Sequence, residues 1–296
     1  MPEILHGIKV TELLIGTRPI NIVSTAVIGL IATAIPGEAE GAEAALDAAF
    51  PLNTPVPVTD IRKAIGLAGA DGTLKPALEA IADQASPVLV VVRVAEYAPQ
   101  EGDDAQDILD GQNALVIGTT EDNIYTGAQA LLAAELQLGV KPRIIGAPGL
   151  DTAEVTAELV TIAQALRGMV YAQCGGDDVA GAIAYAGDFA ARELMLLWPK
   201  FGNDFAGDTA ARALGLRAKI DQEQGWNKTL SNVPVNGVLA LDRDVSFDIL
   251  GGETDASLLN DAKIVALVRS PDGGFRFWGN RTRSAEPLFA FESATR

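Results

Sequence analysis

Val88-Leu89-Val90-Val91-Val92-Arg93-Val94 is an almost unbroken run of β-branched and aliphatic residues. It is short for a core helix and lacks the alternation of a strand with one wet face. A strand covered on both faces needs such a run, and covered strands belong mainly to parallel sheets flanked by helices. Working outward, Arg143-Ile144-Ile145-Gly146, Met169-Val170-Tyr171-Ala172 and Glu193-Leu194-Met195-Leu196-Leu197-Trp198 repeat the pattern, the last stopped by Pro199. Helical spacing fills the gaps. A helix is expected near residues 126–138. Another starts at Asp151, with Glu154 three residues on as a capping-box variant, buries Val155, Leu159, Ile162 and Leu166, and ends near Gly168. A third, capped by Asp177 or Asp178, carries Val179 and Ile183. Four strands separated by helices imply right-handed crossovers, so the fold class is α/β, a largely parallel sheet with flanking helices.

Toward the N-terminus, residues 1–20 carry Pro2, Gly7, Gly16 and Pro19 around Ile8-Lys9-Val10-Thr11-Glu12-Leu13, without helical periodicity. They read as an extended N-terminal arm. The apolar stretch 23–34 reads as a strand, and the acidic, Ala-rich segment 37–49 as a surface loop or short helix. Pro51, Pro55 and Pro57 make 50–58 an extended connection or an edge strand. Asp60 then caps a helix over 61–67, and Thr73 caps a second with Leu74, Leu78 and Ile81 on one face and Pro76 in its first turn. Residues 95–125 form a polar excursion. Toward the C-terminus, 206–220 is helical, and 264–269 with 275–278 around Pro271-Asp272-Gly273-Gly274 forms a β-hairpin region. The expected division is therefore an arm, 1–20, and a core, 21–296. Within that core, 50–87 forms a small helical and extended subregion and 88–290 the α/β core. Ser293 is a plausible helix cap, yet the chain stops at Arg296 before a helix is expected to form, which reads as a truncated chain.

Hydrophobic residues make up 48% of the chain and charged residues 21%, a globular balance. The formal charge of -17, from 39 acidic against 22 basic side chains, repels phosphate backbones and anionic headgroups, so neither nucleic-acid binding nor membrane insertion is expected. The stretch 18–34 imitates a signal peptide, but Glu3 and Glu12 spoil its positive start and Pro19, Asn21, Ser24 and Thr25 interrupt it. A buried strand explains it better. Cys174 is the only cysteine, which excludes an intramolecular disulfide and a cysteine-based zinc site.

The usual catalytic constellations are missing from this pattern. His6 is the only histidine and lies in the arm, away from any rigid core where it could serve a serine or cysteine nucleophile. Gly146-Ala147-Pro148-Gly149 is the nearest imitation of a phosphate-binding turn, but Pro148 lacks a donor and no lysine follows. Glu101, Asp103, Asp104, Asp107 and Asp110 do not have EF-hand spacing and read as a solvated loop or helix face. No catalytic residue, cofactor or metal is expected. The competing readings are an α/β hydrolase-like or nucleotide-binding enzyme and a non-contractile self-assembling shell protein.

Several segments are distinctive. His6-Gly7-Ile8-Lys9-Val10-Thr11-Glu12-Leu13, Gly16-Thr17-Arg18-Pro19-Ile20 and Ser24-Thr25-Ala26-Val27-Ile28-Gly29-Leu30 open the chain. Leu138-Gly139-Val140-Lys141-Pro142-Arg143-Ile144-Ile145-Gly146-Ala147-Pro148-Gly149, the long run from Arg212 to Asn232, and Phe275-Arg276-Phe277-Trp278-Gly279-Asn280-Arg281-Thr282 follow. Together they resemble the contractile tail sheath proteins of myophages and R-type pyocins over nearly the whole chain, most weakly at 95–125 and 200–208. The resemblance implies a non-enzymatic subunit of stacked hexameric rings, which polymerises around an inner tube and shortens to drive that tube through the target cell envelope. It further implies assembly in the host cytoplasm and residence in a virion tail or tail-like particle. Ile8, Lys9, Val10, Thr11, Glu12 and Leu13 are then the inter-subunit arm that adds a strand to a neighbour. Sheath proteins of this kind continue past the position of Arg296 into a C-terminal domain that contacts the tube. With that domain absent, contacts to tube and baseplate are largely missing, and this chain alone is expected to be monomeric.

Overall fold

The apolar runs pair as one sheet in the computed structural model, which describes residues 25–250 and 252–295. In chain order the first elements are β1 (Ile28–Thr33), α1 (Ala42–Ala49), β2 (Pro55–Val58), α2 (Ile61–Leu67), α3 (Leu74–Ala82) and β3 (Leu89–Val94). Next come α4 (Ala105–Ile117), β4 (Thr120–Glu121), β5 (Ile124–Tyr125), a 3-10 helix (Gly127–Ala133), α5 (Ala134–Leu138), β6 (Ile144–Gly146), α6 (Ala153–Leu166) and β7 (Met169–Gln173). The remainder are α7 (Val179–Ala186), β8 (Leu194–Trp198), α8 (Asp208–Glu223), β9 (Pro234–Val235), α9 (Asp255–Asp261), β10 (Val265–Arg269), β11 (Phe275–Trp278) and α10 (Glu292–Thr295).

Nine strands lie in the order β2-β3-β1-β6-β7-β8-β10-β11-β9. From β3 to β10 all neighbours are parallel. By contrast, β2 joins β3, β11 joins β10 and β9 joins β11 antiparallel. The decisive run is second from the edge, and β1 is inserted between it and β6, so spatial order departs from chain order.

Strand side chains alternate between faces, and the sheet accordingly feeds two cores. Leu89, Val91, Leu30, Tyr171, Met195 and Leu197 pack on one face with α3 and α8. Val90, Val92, Ile31, Val170, Leu194 and Leu196 pack on the other with α6, α7 and α9. Arg93, the one charge in the decisive run, shares the face of Leu89 and Val91. Only 6% exposed, it donates through Nε to Phe50 O at 2.5 Å and through Nη2 to Asp47, which ties the end of α1 to the sheet. Where α8 crosses α3, Gly215 allows direct backbone contact: a Cβ there would stand 2.9 Å from both Cα and O of Ile81. Asp60 caps α2 through the amides of Arg62 and Lys63, and Asp178 caps α7 through Gly181 N.

Other local expectations need correction. The excursion 95–125 contains α4 and the β4–β5 hairpin; α4 buries only Asn113 and Val116, too little to leave an apolar stripe in the sequence. The helix expected near 126–138 is a 3-10 helix over Gly127–Ala133 that passes into α5. Thr73 does not cap α3 with its side chain. Its Oγ1 accepts from Thr33 N at 3.0 Å, and Thr33 Oγ1 accepts from Thr73 N at 3.2 Å, a reciprocal clasp to the end of β1. Thr152, not Asp151, caps α6, and Arg167, at φ 53°, ends it immediately before Gly168. The last residues do form a helical turn, α10, because Glu292 is anchored in the core. The expected arm residues, Ile8 to Leu13, lie outside the described residues.

Candidate functional site

Ligands in open α/β sheets bind beyond the carboxyl ends of the strands, so that rim is the first place to look. A crevice of about 240 Å³ lies there, between the start of α6 and the ends of β7 and β8, lined by Asp151, Gln173, Cys174, Tyr185 and Lys200 among others. Asp151 Oδ2 accepts from Gln173 N at 2.7 Å, which pins the β6–α6 turn to the end of β7. Burial is the main influence on this carboxyl and pushes it up to about 6, although backbone donors and the charge of Lys200 oppose the shift. The carboxylate that precedes α6 is thus engaged by the end of β7, and Thr152 Oγ1 caps the helix by accepting from Val155 N. Gly146-Ala147-Pro148-Gly149 is the turn that delivers that carboxylate, with Gly149 at φ 79°.

Cys174, 1% exposed, donates to Ala182 O at 3.4 Å, and desolvation pushes its thiol up to about 12. A thiol so held stays protonated at neutral pH, and the described residues contain no histidine to activate it. Desolvation likewise raises Tyr185 above the ordinary phenol range. Among the described residues, no three His, Cys, Asp or Glu side chains converge as a metal site.

Four of the five residues in the acidic series, all but the exposed Glu101, have structural employment. Asp104 caps α4 by accepting from the amides of Gln106 and Asp107, and Asp107 returns the bond to Asp104 N. Asp103 accepts from Tyr97 Oη and Gln100 N, and Asp110 from Gln106 Nε2. Asp177 is exposed and within 3.3 Å of Arg243. The pair Asp177-Asp178 is thus divided between a surface contact and a helix cap.

The strongest electrostatics tie distant segments of the chain together. Arg217, on α8, is fully buried with Asp221 at 2.6 Å and Glu292 at 3.1 Å, both also fully buried. Tyr171 Oη donates to Glu292 Oε1 at 2.5 Å, Leu230 N donates to Glu292 Oε2 at 3.0 Å, and Arg217 Nη1 donates to Lys228 O at 2.5 Å. Four stretches far apart in sequence meet at that carboxylate. One turn earlier, Arg212 bonds Asp208 at 2.7 Å, Asp83 at 2.8 Å and Asn236 O at 2.5 Å, which fastens the end of α3 and the loop after β9 to α8. Sequence reading singled out 212–232 as distinctive without seeing this reason for it: its arginines bind segments from both ends of the chain.

The two sheet edges complete the description. At one edge Pro55 and Pro57 supply half of β2, and at the other β9 consists of Pro234 and Val235 alone. Proline has no amide donor, so both rims are poor templates for another strand.

Buried charges that join the chain's own segments and rims guarded against uncontrolled pairing define the class only as an α/β scaffold domain with a mostly parallel sheet. Comparison with known proteins identifies which. Residues 123–283 match the family model of the phage tail sheath protein central domain, and residues 25–94 that of the tail sheath protein Gp18 domain III N-terminal region. The chain belongs to the phage tail sheath family. It is 48% identical to the tail sheath protein of Escherichia phage P2 over all of this chain and 74% of that one. With the major tail sheath protein of Serratia phage KSP20 it shares 42% identity over 98% of this chain and 72% of the relative. Its fold is that of subunits in the contracted helical sheath of the anti-feeding prophage, with a TM-score of 0.60 at 17% identity over 99% of this chain and 73% of that one. The contracted sheath complex of the extracellular contractile injection system PVC gives 0.59 at 14% identity, covering 100% and 71% of the two chains.

Proposed function

We propose that this chain is the repeating structural unit of a contractile tail sheath, which polymerises around an inner tube in a virion tail or tail-like particle and shortens to drive the tube through the target envelope. The 48% identity to a phage tail sheath protein, over all of this chain and 74% of that one, carries the reading. The geometry supports it: charges join segments inside the unit, and the strand-end crevice offers a protonated thiol in place of a nucleophile. Contraction is then a repacking of nearly rigid bodies between two assembled states.

The arm, Ile8 to Leu13, is the flexible connection in this reading, adding a strand to a neighbouring subunit. The proline-guarded rims of the nine-stranded sheet are unsuitable receivers, so the arm is expected to pair elsewhere on its neighbour. Light scattering of the 296-residue chain by itself is expected to give a monomer mass.

Negative-stain microscopy of the whole gene product tests the central claim. Hollow cylinders are the expected result. A discrete small oligomer under every assembly condition, with turnover of an ester or nucleotide substrate, would return the α/β hydrolase-like or nucleotide-binding reading.

A further inference from the structure

The surplus negative charge of this chain is unevenly placed. Residues 95–125 hold eight carboxylates and no lysine, arginine or histidine. That stretch ends in the β4–β5 hairpin, which stands apart from the nine-stranded sheet. Residues 119–124 are all exposed, Ile124 by 67%. The tip is preformed. Asp122 and Asn123, at φ 50° and 63°, make a tight two-residue turn with no glycine to ease it. At its base Thr119 N donates to Thr126 Oγ1 at 2.8 Å, and Thr126 N donates to Thr119 O at 2.9 Å. A fixed protrusion bearing Glu121, Asp122 and an open isoleucine has the shape and chemistry of a docking element that needs little ordering on contact.

Complementary chemistry lies on a different surface. Arg143 and Arg167 stand at the amino ends of β6 and β7, where Arg143 Nη1 donates to Arg167 O at 2.8 Å. Neither guanidinium has an ion pair within 4 Å among the described residues. Beside them Lys141 is paired with Glu135 at 2.8 Å. That hydrogen bond first, and then the charges of Lys141 and Arg143, hold the Glu135 carboxyl below its ordinary range, so Arg143 is close enough to α5 to be felt there. The next residue of α5 is Leu136, 90% exposed. This rim therefore offers two unpaired guanidiniums and an open leucine on a chain whose formal charge is -17.

One copy cannot bring the two surfaces together. Gly127, at the foot of the hairpin, donates to Asn53 Oδ1 at 2.8 Å, and Asn53 N donates to Arg93 O at 2.8 Å, which ties the hairpin to the carboxyl end of β3. The arginines lie at the amino ends of strands that run parallel to β3, with the length of the sheet between.

We infer that the β4–β5 tip docks onto the amino-end rim of a second copy of this chain, with Glu121 and Asp122 facing Arg143 and Arg167 and Ile124 against Leu136. The inference rests on the sheath reading above and adds to it a contact on the body, separate from the arm. Copies this acidic repel one another, so a contact that sets the carboxylates of one against the guanidiniums of the next selects their relative orientation. Because the two surfaces differ, the contact is heterologous. Every joined pair keeps one free tip and one free rim, which lets the array grow without closing. A hairpin tip buries too little surface to hold two copies by itself, in keeping with the monomer mass expected of the isolated chain.

Cross-linking in the sheath formed by the whole gene product tests the contact. Cys174 is 1% exposed and contributes little background. A variant carrying both Glu121→Cys and Arg167→Cys, treated with a short bismaleimide after assembly, should give a ladder of multimers, and either substitution alone should give none. Charge exchange measures the strength. Glu121→Arg or Arg167→Glu alone should raise the critical concentration for assembly about tenfold, and the two together should return it to within about threefold of the parent. Both side chains are exposed, so the unassembled variants should melt close to the parent. Cylinders of the double-cysteine variant that yield no ladder, or folded single-exchange variants with an unaltered critical concentration, refute the contact and leave the sheath reading intact. If the parent forms no cylinders, the sheath reading fails and the contact fails with it.

Discussion

Replacing Arg217 by methionine should be among the most damaging single changes available to this protein, and the structure says by how much. The guanidinium is fully buried between two fully buried carboxylates, Asp221 and Glu292, so one positive charge faces two negative ones. Tyr171 Oη and Leu230 N donate to Glu292 and offset the excess. Removing the cation leaves both carboxylates in a dry site without it, a situation that destabilises by about 3–5 kcal/mol. Glu292→Gln is the informative contrast. It keeps the shape and one acceptor oxygen and leaves Arg217 with Asp221 as a balanced pair, but its NH2 group must face either Leu230 N or Arg217 Nη1, so its effect should be about 1–3 kcal/mol, that of a buried donor left without an acceptor. Urea unfolding of the two variants and the parent, followed by tryptophan fluorescence, gives both differences from the shift in midpoint at constant slope. The reasoning is refuted if Arg217→Met costs less than Glu292→Gln, or if both lie within error of the parent. Either result would mean that the last turn is detached and the site hydrated in solution.

Three further outcomes follow from other features. Gly215→Ala sets a Cβ against the Ile81 backbone at 2.9 Å, so it should destabilise by about 1–3 kcal/mol as overpacking does, read as a lower melting temperature. Asp151 has a folded-state pKa raised to about 6 from 3.8, so the folded protein binds this proton more tightly than the unfolded one. Its contribution is favourable at pH 4 and is lost as pH rises through about 6, by up to about 3 kcal/mol for a shift of this size. Asp151→Asn should flatten that part of the stability curve, and urea midpoints at pH 4.5 and 7.5 that respond to pH as the parent's do would contradict it. Val10→Pro, in the proposed arm, removes an amide donor at every subunit contact and should leave the whole gene product with fragile or absent cylinders but an unchanged melting temperature. A large drop in melting temperature with normal cylinders would place that strand in the core.

The parallel sheet was legible because Val88 to Val94 and its three companion runs are apolar on both faces, a demand that sequence records directly. Asp60 and Asp178 were legible because capping is local. What escaped is long-range. Thr73 and Asp151 have the look of helix caps, yet their oxygens accept from Thr33 N and Gln173 N, partners that only the folded sheet brings near. The place of β1, between β3 and β6, is a choice of spatial order that no periodicity encodes. Helix α8 misleads most: Asp208, Arg212, Arg217 and Asp221 give it the polar character of a surface helix, while these side chains are buried and paired. The strand-end crevice was legible only as an absence of known motifs. The orientation of the Gln173 side-chain amide beside it depends on where the carbonyls of Cys174 and Leu197 come to rest.

The prolines of β2 and β9 bear on kinetics as much as on shape. Wherever copies of a β-containing protein meet at high concentration, exposed strand rims risk fusion into mixed sheets. Pro55, Pro57 and Pro234 deprive a rim-to-rim collision of the donors that would hold it, so two copies meeting that way separate again. Rim-to-rim fusion is thereby disfavoured, which leaves contacts elsewhere on the body to decide how copies associate.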